Sequence, residues 1–157
     1  MLFKLALFLH ILSAIFWIGG MLFLVLVVAP FLQSLPDPKE RSKIYQTVGK
    51  KYRFYGWVAI ITLLCTGPIM LYTFYGISPS GIFSRQLHAS PFGRTLAIKL
   101  TLVAIIVTTS LIHDFWLGPK ARSSPRFTTI AKIFGRGNLI IALLIVVFAV
   151  FLRAGGF

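Results

Sequence analysis

Residues 5–30 read LALFLHILSAIFWIGGMLFLVLVVAP. The stretch has no charged residue, and its strongly polar side chains are His10 and Ser13. Crossing a bilayer takes roughly 20 apolar residues in a helix, and this run is longer. It is also too long for a signal-peptide core, and no small-x-small cleavage pattern follows it, so it reads as a retained helix. An ionisable group inside such a helix is expensive, and it usually faces the protein interior, where it binds something. His10 is therefore the sharpest functional clue in the chain.

Three more apolar stretches follow. The expected spans are residues 4–30, 54–75, 94–117 and 135–153 of a single transmembrane domain covering 1–157. Tyr52, Tyr55 and Trp57 mark one edge of the second span, Tyr72 and Tyr75 the other, and Trp116 the end of the third, as aromatic belts do. The expected fold is all-α, an integral membrane antiparallel four-helix bundle.

The chain is 57% hydrophobic with mean hydropathy +0.88, too apolar for a soluble domain of 157 residues. Its net charge is +13, with Asp37, Glu40 and Asp114 the three acids. The cations flank apolar runs, so they point to anionic lipid headgroups rather than nucleic acid. Lys39, Arg41, Lys43, Lys50, Lys51 and Arg53 follow span one, and Lys120, Arg122, Arg126, Lys132 and Arg136 follow span three. The positive-inside rule puts these two loops in the cytoplasm and both termini on the outer side of the inner (plasma) membrane. Pro36-Asp37-Pro38 predicts a turn, after which 39–53 reads as a basic helical extension of span two. The single Cys65 excludes an intrachain disulfide and multi-cysteine metal sites.

Ser13 and Trp17 share the face of His10 by helical spacing, and Gly19 and Gly20 let another helix or a flat ligand come close. Lys99 lies about one turn inside span three, at a depth expected to resemble that of His10; no acid lies in the outer half to neutralise it. His113 is roughly 15 Å deeper, at ~1.5 Å per residue. Adjacent helical residues point about 100° apart, so Asp114 is expected to pair with Arg136 or Lys120 rather than with His113. His88 lies in the outer loop, the other imidazole within reach of the His10 level.

Haem b needs one or two axial side chains, a flat apolar slot and cations for its propionates. The outer half offers His10 and His88 as iron ligands, Trp17 and Ser13 beside His10, and Lys99 and Arg94 for carboxylates; His113 is a weaker ligand candidate. Copper is poorly supplied, with Met21 and Met70 internal and one cysteine. No carboxylate pair, phosphate-binding glycine loop or nucleophile–histidine–acid set is present, so no catalytic residue is assigned.

Residues 9–30, with their LH…W.GG pattern, resemble the first helix of copper-resistance D-type inner-membrane proteins. SPFGRTLAIKLTLV at 90–103 resembles a later segment of the same family. A histidine in helix one and a lysine in a later helix are similar to HemJ-type protoporphyrinogen oxidases. The first resemblance implies copper uptake and the second haem or porphyrin, with His10, Trp17 and Lys99 at the shared positions. LIHDFWLGP at 111–119 departs from the copper-resistance pattern. The expectation is a haem b-binding protein for haem transfer or electron transfer at the outer face, with membrane lipid and haem or porphyrin as partners. The chain is small for wrapping a haem, which suggests a homodimer.

Overall fold

The computed structural model describes residues 1–121 and 124–157. Four helices among the described residues are long and apolar enough to cross a membrane. They are α1 (Leu2–Ser34), α2 (Pro38–Tyr75), α3 (Pro91–Lys120) and α4 (Pro125–Arg153). The described residues contain no strand, so the expected all-α membrane class is the one observed. The chain divides into two compact units, Met1–Ile77 and Ser78–Phe157. Each is a helical hairpin.

In the first hairpin, α1 and α2 pack antiparallel. Phe3 stacks on Phe74, with ring centroids 4.7 Å apart. His10 meets Thr66, Trp17 lies over Gly56, and Tyr52 reaches the Trp17 carbonyl, so contacts climb α1 as they descend α2. Ala6, His10, Ser13, Trp17 and Gly20 recur at alternating steps of four and three, which keeps them on one face. Ala6 and Trp17 are buried on that seam, against a face of α2 on which Gly56, Ala59, Ile60, Thr66 and Leu71 are buried.

The turn at Pro36-Asp37-Pro38 is present. The Asp37 carboxylate accepts from the Lys39 N–H at 2.8 Å and caps α2. The basic stretch is continuous helix with the second span, as its sequence predicts. A helix of 38 residues is ~57 Å long at ~1.5 Å per residue, far beyond a hydrocarbon core of about 30 Å. Its basic turns therefore extend past the apolar layer. At the other end Gly76 takes φ 67°, and the N–H groups of Gly76 and Ile77 donate to the Tyr72 and Leu71 carbonyls at 3.2 and 3.1 Å. Only glycine adopts that left-handed turn without strain.

The second hairpin opens with a short helix, Arg85–Ala89. Ser90 then ties it to α3: its hydroxyl accepts from the Gly93 N–H at 3.0 Å and donates to the Leu87 carbonyl at 2.7 Å. Thr95, Leu96, Ile106, Ser110 and Leu117 of α3 are buried, as are Asn138, Leu139, Ala142 and Leu152 of α4. Asn138 bridges the helices, its oxygen accepting from Thr109 at 2.7 Å and its NH₂ donating to Ser110 at 3.1 Å. The chain end folds back, and the Phe157 N–H donates to the Thr95 hydroxyl at 3.2 Å.

The two hairpins share a device. The first helix of each contains a π-helical turn, Leu24–Val28 in α1 and Ile112–Leu117 in α3. Each turn leads straight into a small residue and a proline, Ala29-Pro30 or Gly118-Pro119. Pro36 follows Pro30 at the same spacing as Pro125 follows Pro119. Proline has no N–H for the helical ladder, and a π turn is a local re-routing of that ladder. The chain thus carries an internal repeat of one hairpin plan.

A Cβ at Gly93 would collide with the Leu87 backbone, whereas one at Gly137 meets nothing. Gly93→Ala should therefore cost about 1–3 kcal/mol, and Gly137→Ala should be neutral or stabilising by up to ~1 kcal/mol. Thermal unfolding in detergent measures both, and equal melting temperatures would contradict the packing described.

Candidate functional site

His10 sits in the middle of the seam between α1 and α2, half-buried. Its Nδ1 lies 2.8 Å from the Thr66 hydroxyl oxygen. Thr66 is 6% exposed, and its hydroxyl donates back to the Thr62 carbonyl at 2.6 Å, as threonines in apolar helices do. Beside it, Gly67 offers no side chain; a Cβ there would stand 3.7 Å from His10 Cε1. The TG of CTGP at 65–68 thus supplies one polar partner and one open space for the imidazole.

Deeper on the same seam, the Tyr52 hydroxyl donates to the Trp17 backbone carbonyl at 2.6 Å. Gly20 leaves the room that the Tyr52 ring occupies. Trp17 is 9% exposed and packs over Gly56. His10, Ser13 and Trp17 therefore share a face, as the spacing predicts, and that face is the helix–helix interface of the first hairpin.

Lys99, Arg94, His88 and His113 belong to the second hairpin. Lys99 is half-buried in α3. Its ammonium makes no hydrogen bond or ion pair among the described residues. Lys99 precedes Pro119 by the same number of residues as His10 precedes Pro30, so the two occupy equivalent positions in the two repeats. Arg94 is exposed in the first turn of α3, and His88 is exposed on the short helix.

The expectation that Asp114 does not hold His113 is corrected. His113 Nδ1 and Asp114 Oδ1 lie 2.8 Å apart, so the carboxylate does hold the neighbouring imidazole. The reason is the π-helical turn at Ile112–Leu117. Its i→i+5 ladder turns the chain by less than 100° per residue, a departure from the ideal angles on which the expectation rested. A Cβ on Gly135 of α4 would stand 3.9 Å from His113 Nε2.

The described residues contain no group of three His, Cys, Asp or Glu side chains placed to hold a metal ion. Thr66 was not singled out by sequence, and Tyr52 was read only as an aromatic marker of the edge of span two. The available signal was a threonine beside Gly-Pro inside an apolar span.

The fold and the embedded imidazole define a multi-pass membrane protein with four membrane-length helices. A family model for copper resistance protein D matches residues 46–152, and the chain belongs to that family. The match begins after α1, so His10 lies outside the matched segment and Lys99 inside it. An uncharacterized protein of Aquifex aeolicus (strain VF5) is 39% identical over 153 residues, covering 97% of this chain and 96% of its own. No solved structure matches.

Tyr52→Phe removes the bond to the Trp17 carbonyl but keeps the ring against Gly20. It should cost about 0.5–1.5 kcal/mol, read as a lower melting temperature in detergent. An unchanged midpoint would show that the tether does not hold the seam.

Proposed function

We propose that this protein binds haem b near the outer membrane face, with His10 as an axial ligand, for haem transfer or electron transfer. His10 carries the reading. It is an imidazole in an apolar span, it is anchored through Nδ1, and its helix places it on a seam rather than toward lipid. Metal-ligating histidines characteristically use their second nitrogen for such an anchor. Porphyrin supplies four of the iron's donors, so one or two protein ligands suffice. That requirement suits a chain whose described residues include no three-ligand cluster.

In this reading His88, from the same chain or from a second copy in a homodimer, would be the second residue to hold the iron. His113 is a weaker choice as ligand. Lys99 and Arg94 neutralise the propionates, and Ser13 and Trp17 lie beside His10. Bound haem would supply a one-electron couple at iron. The basic loops argue for the inner membrane with both termini outside.

Copper uptake is the second reading, favoured by the family description. A HemJ-type protoporphyrinogen oxidase is the enzymatic alternative, raised by the helix-one histidine.

A pyridine haemochrome assay on protein made with ample haem supply tests the proposal. The expected result is bound haem with a Soret band and reducible α and β bands, and His10→Ala should bleach that Soret band. A colourless protein holding stoichiometric copper would favour copper uptake. Porphyrin fluorescence growing after protoporphyrinogen is added would favour the enzyme. An unchanged spectrum in His10→Ala would refute this ligand assignment.

A further inference from the structure

The hydroxyl of Thr66 has one hydrogen, and two acceptors compete for it. The Thr62 carbonyl is 2.6 Å away and the Leu63 carbonyl 3.4 Å away. His10 Nδ1 is at 2.8 Å on the other side of the same oxygen. The Thr62 carbonyl is the nearest of the three groups, and a helical threonine characteristically bonds back to the carbonyl four residues earlier, so the hydroxyl hydrogen is assigned there. The oxygen then has only lone pairs to offer the imidazole. A close approach of two lone pairs would be repulsive, so the hydrogen between His10 and Thr66 must belong to the ring.

We infer that Thr66 fixes His10 as its Nδ1–H tautomer and is thereby the positioning residue that makes Nε2 the basic nitrogen of the ring. The chain of donation runs one way: His10 Nδ1–H to Thr66 oxygen, and Thr66 O–H to the Thr62 carbonyl. It needs no charge and no water, and it lies within one hairpin. Gly67 flanks the ring, and a Cβ there would meet its Cε1 edge in ordinary van der Waals contact at 3.7 Å. A hydroxyl acceptor differs from a carboxylate. It sets orientation while giving the ring less anionic character than Asp114 gives His113.

The tautomer is read from the contact with Thr66. The further statement, that Nε2 is the iron-facing atom, rests on the haem reading above. Serine keeps the hydroxyl at this position and valine keeps the shape without it. Thr66→Ser should therefore preserve the arrangement and Thr66→Val should abolish it.

The test is ¹⁵N NMR of the full-length chain in detergent, carrying His88→Gln and His113→Gln so that His10 is its single imidazole, without haem and above the ordinary imidazole pKa of about 6.5. The expected spectrum has a protonated Nδ1 and an unprotonated Nε2 shifted far downfield. Thr66→Val should move both resonances toward the averaged values of a mobile ring, and Thr66→Ser should restore them. A protonated Nε2 would overturn the inference. So would unchanged ¹⁵N shifts in Thr66→Val with only a lower melting temperature, which is what a merely structural threonine gives. If the tautomer is as stated and hemin added to the otherwise unaltered chain still fails to bind, the haem reading fails and the positioning role stands.

Discussion

Hydrocarbon offers a polar side chain no hydrogen bond, so a polar group inside a membrane helix is stabilised when it finds its partner in protein. That constraint organises both hairpins. The imidazole of His10 is tolerable in α1 because Thr66 of α2 stands opposite it at 2.8 Å. The partner in turn is satisfied by its own helix. The antiparallel register of the hairpin, from Phe3 on Phe74 to Gly20 on Tyr52, brings these groups level. If the register slipped by one residue, the hydroxyl would leave the ring and an unsatisfied imidazole would remain in the seam.

The second hairpin meets the same demand with different groups. Asn138 satisfies both ends of its amide on Thr109 and Ser110, a neutral clamp between α3 and α4. Polar bonds of this kind are worth about 0.6 kcal/mol each inside membranes, so they specify register more than they add stability. His113 is held differently, by the carboxylate next to it in the chain. That pairing lies within the π turn before Gly118-Pro119. The equivalent turn before Ala29-Pro30 in α1 carries no polar group. One hairpin plan therefore appears twice with the chemistry distributed differently: an imidazole at position 10 of the first copy, and an ammonium at the matching position 99 of the second.

Much of this architecture can be read directly from the residues. Charge-free runs of more than twenty residues in spans one and two leave little choice but membrane helices, and Asp37 between two prolines announces both the turn and the cap of α2. The shared face of His10, Ser13 and Trp17 follows from 3.6 residues per turn. Other features are hidden for physical reasons. A π turn has no strong sequence signature, so the contact between His113 and Asp114 could not be anticipated from ideal helical angles. Thr66 was hidden because span two also contains Thr62 and Thr73, and only the register between helices decides which one meets the ring. The repeat was masked because its conserved elements are a few prolines and small residues, while the apolar filling between them varies freely.

In the proposed reading, a neutral hydroxyl anchors one nitrogen of the embedded imidazole, and the other would meet a porphyrin-held iron. The most direct measurement is pulsed EPR of the ferric, haem-loaded protein carrying ¹⁵N-histidine, compared with the same protein at natural abundance. The account predicts a ¹⁵N coupling from a histidine nitrogen bound to iron, lost when His10 is replaced by alanine. A ferric signal with no histidine coupling, or with one that survives that replacement, would contradict it.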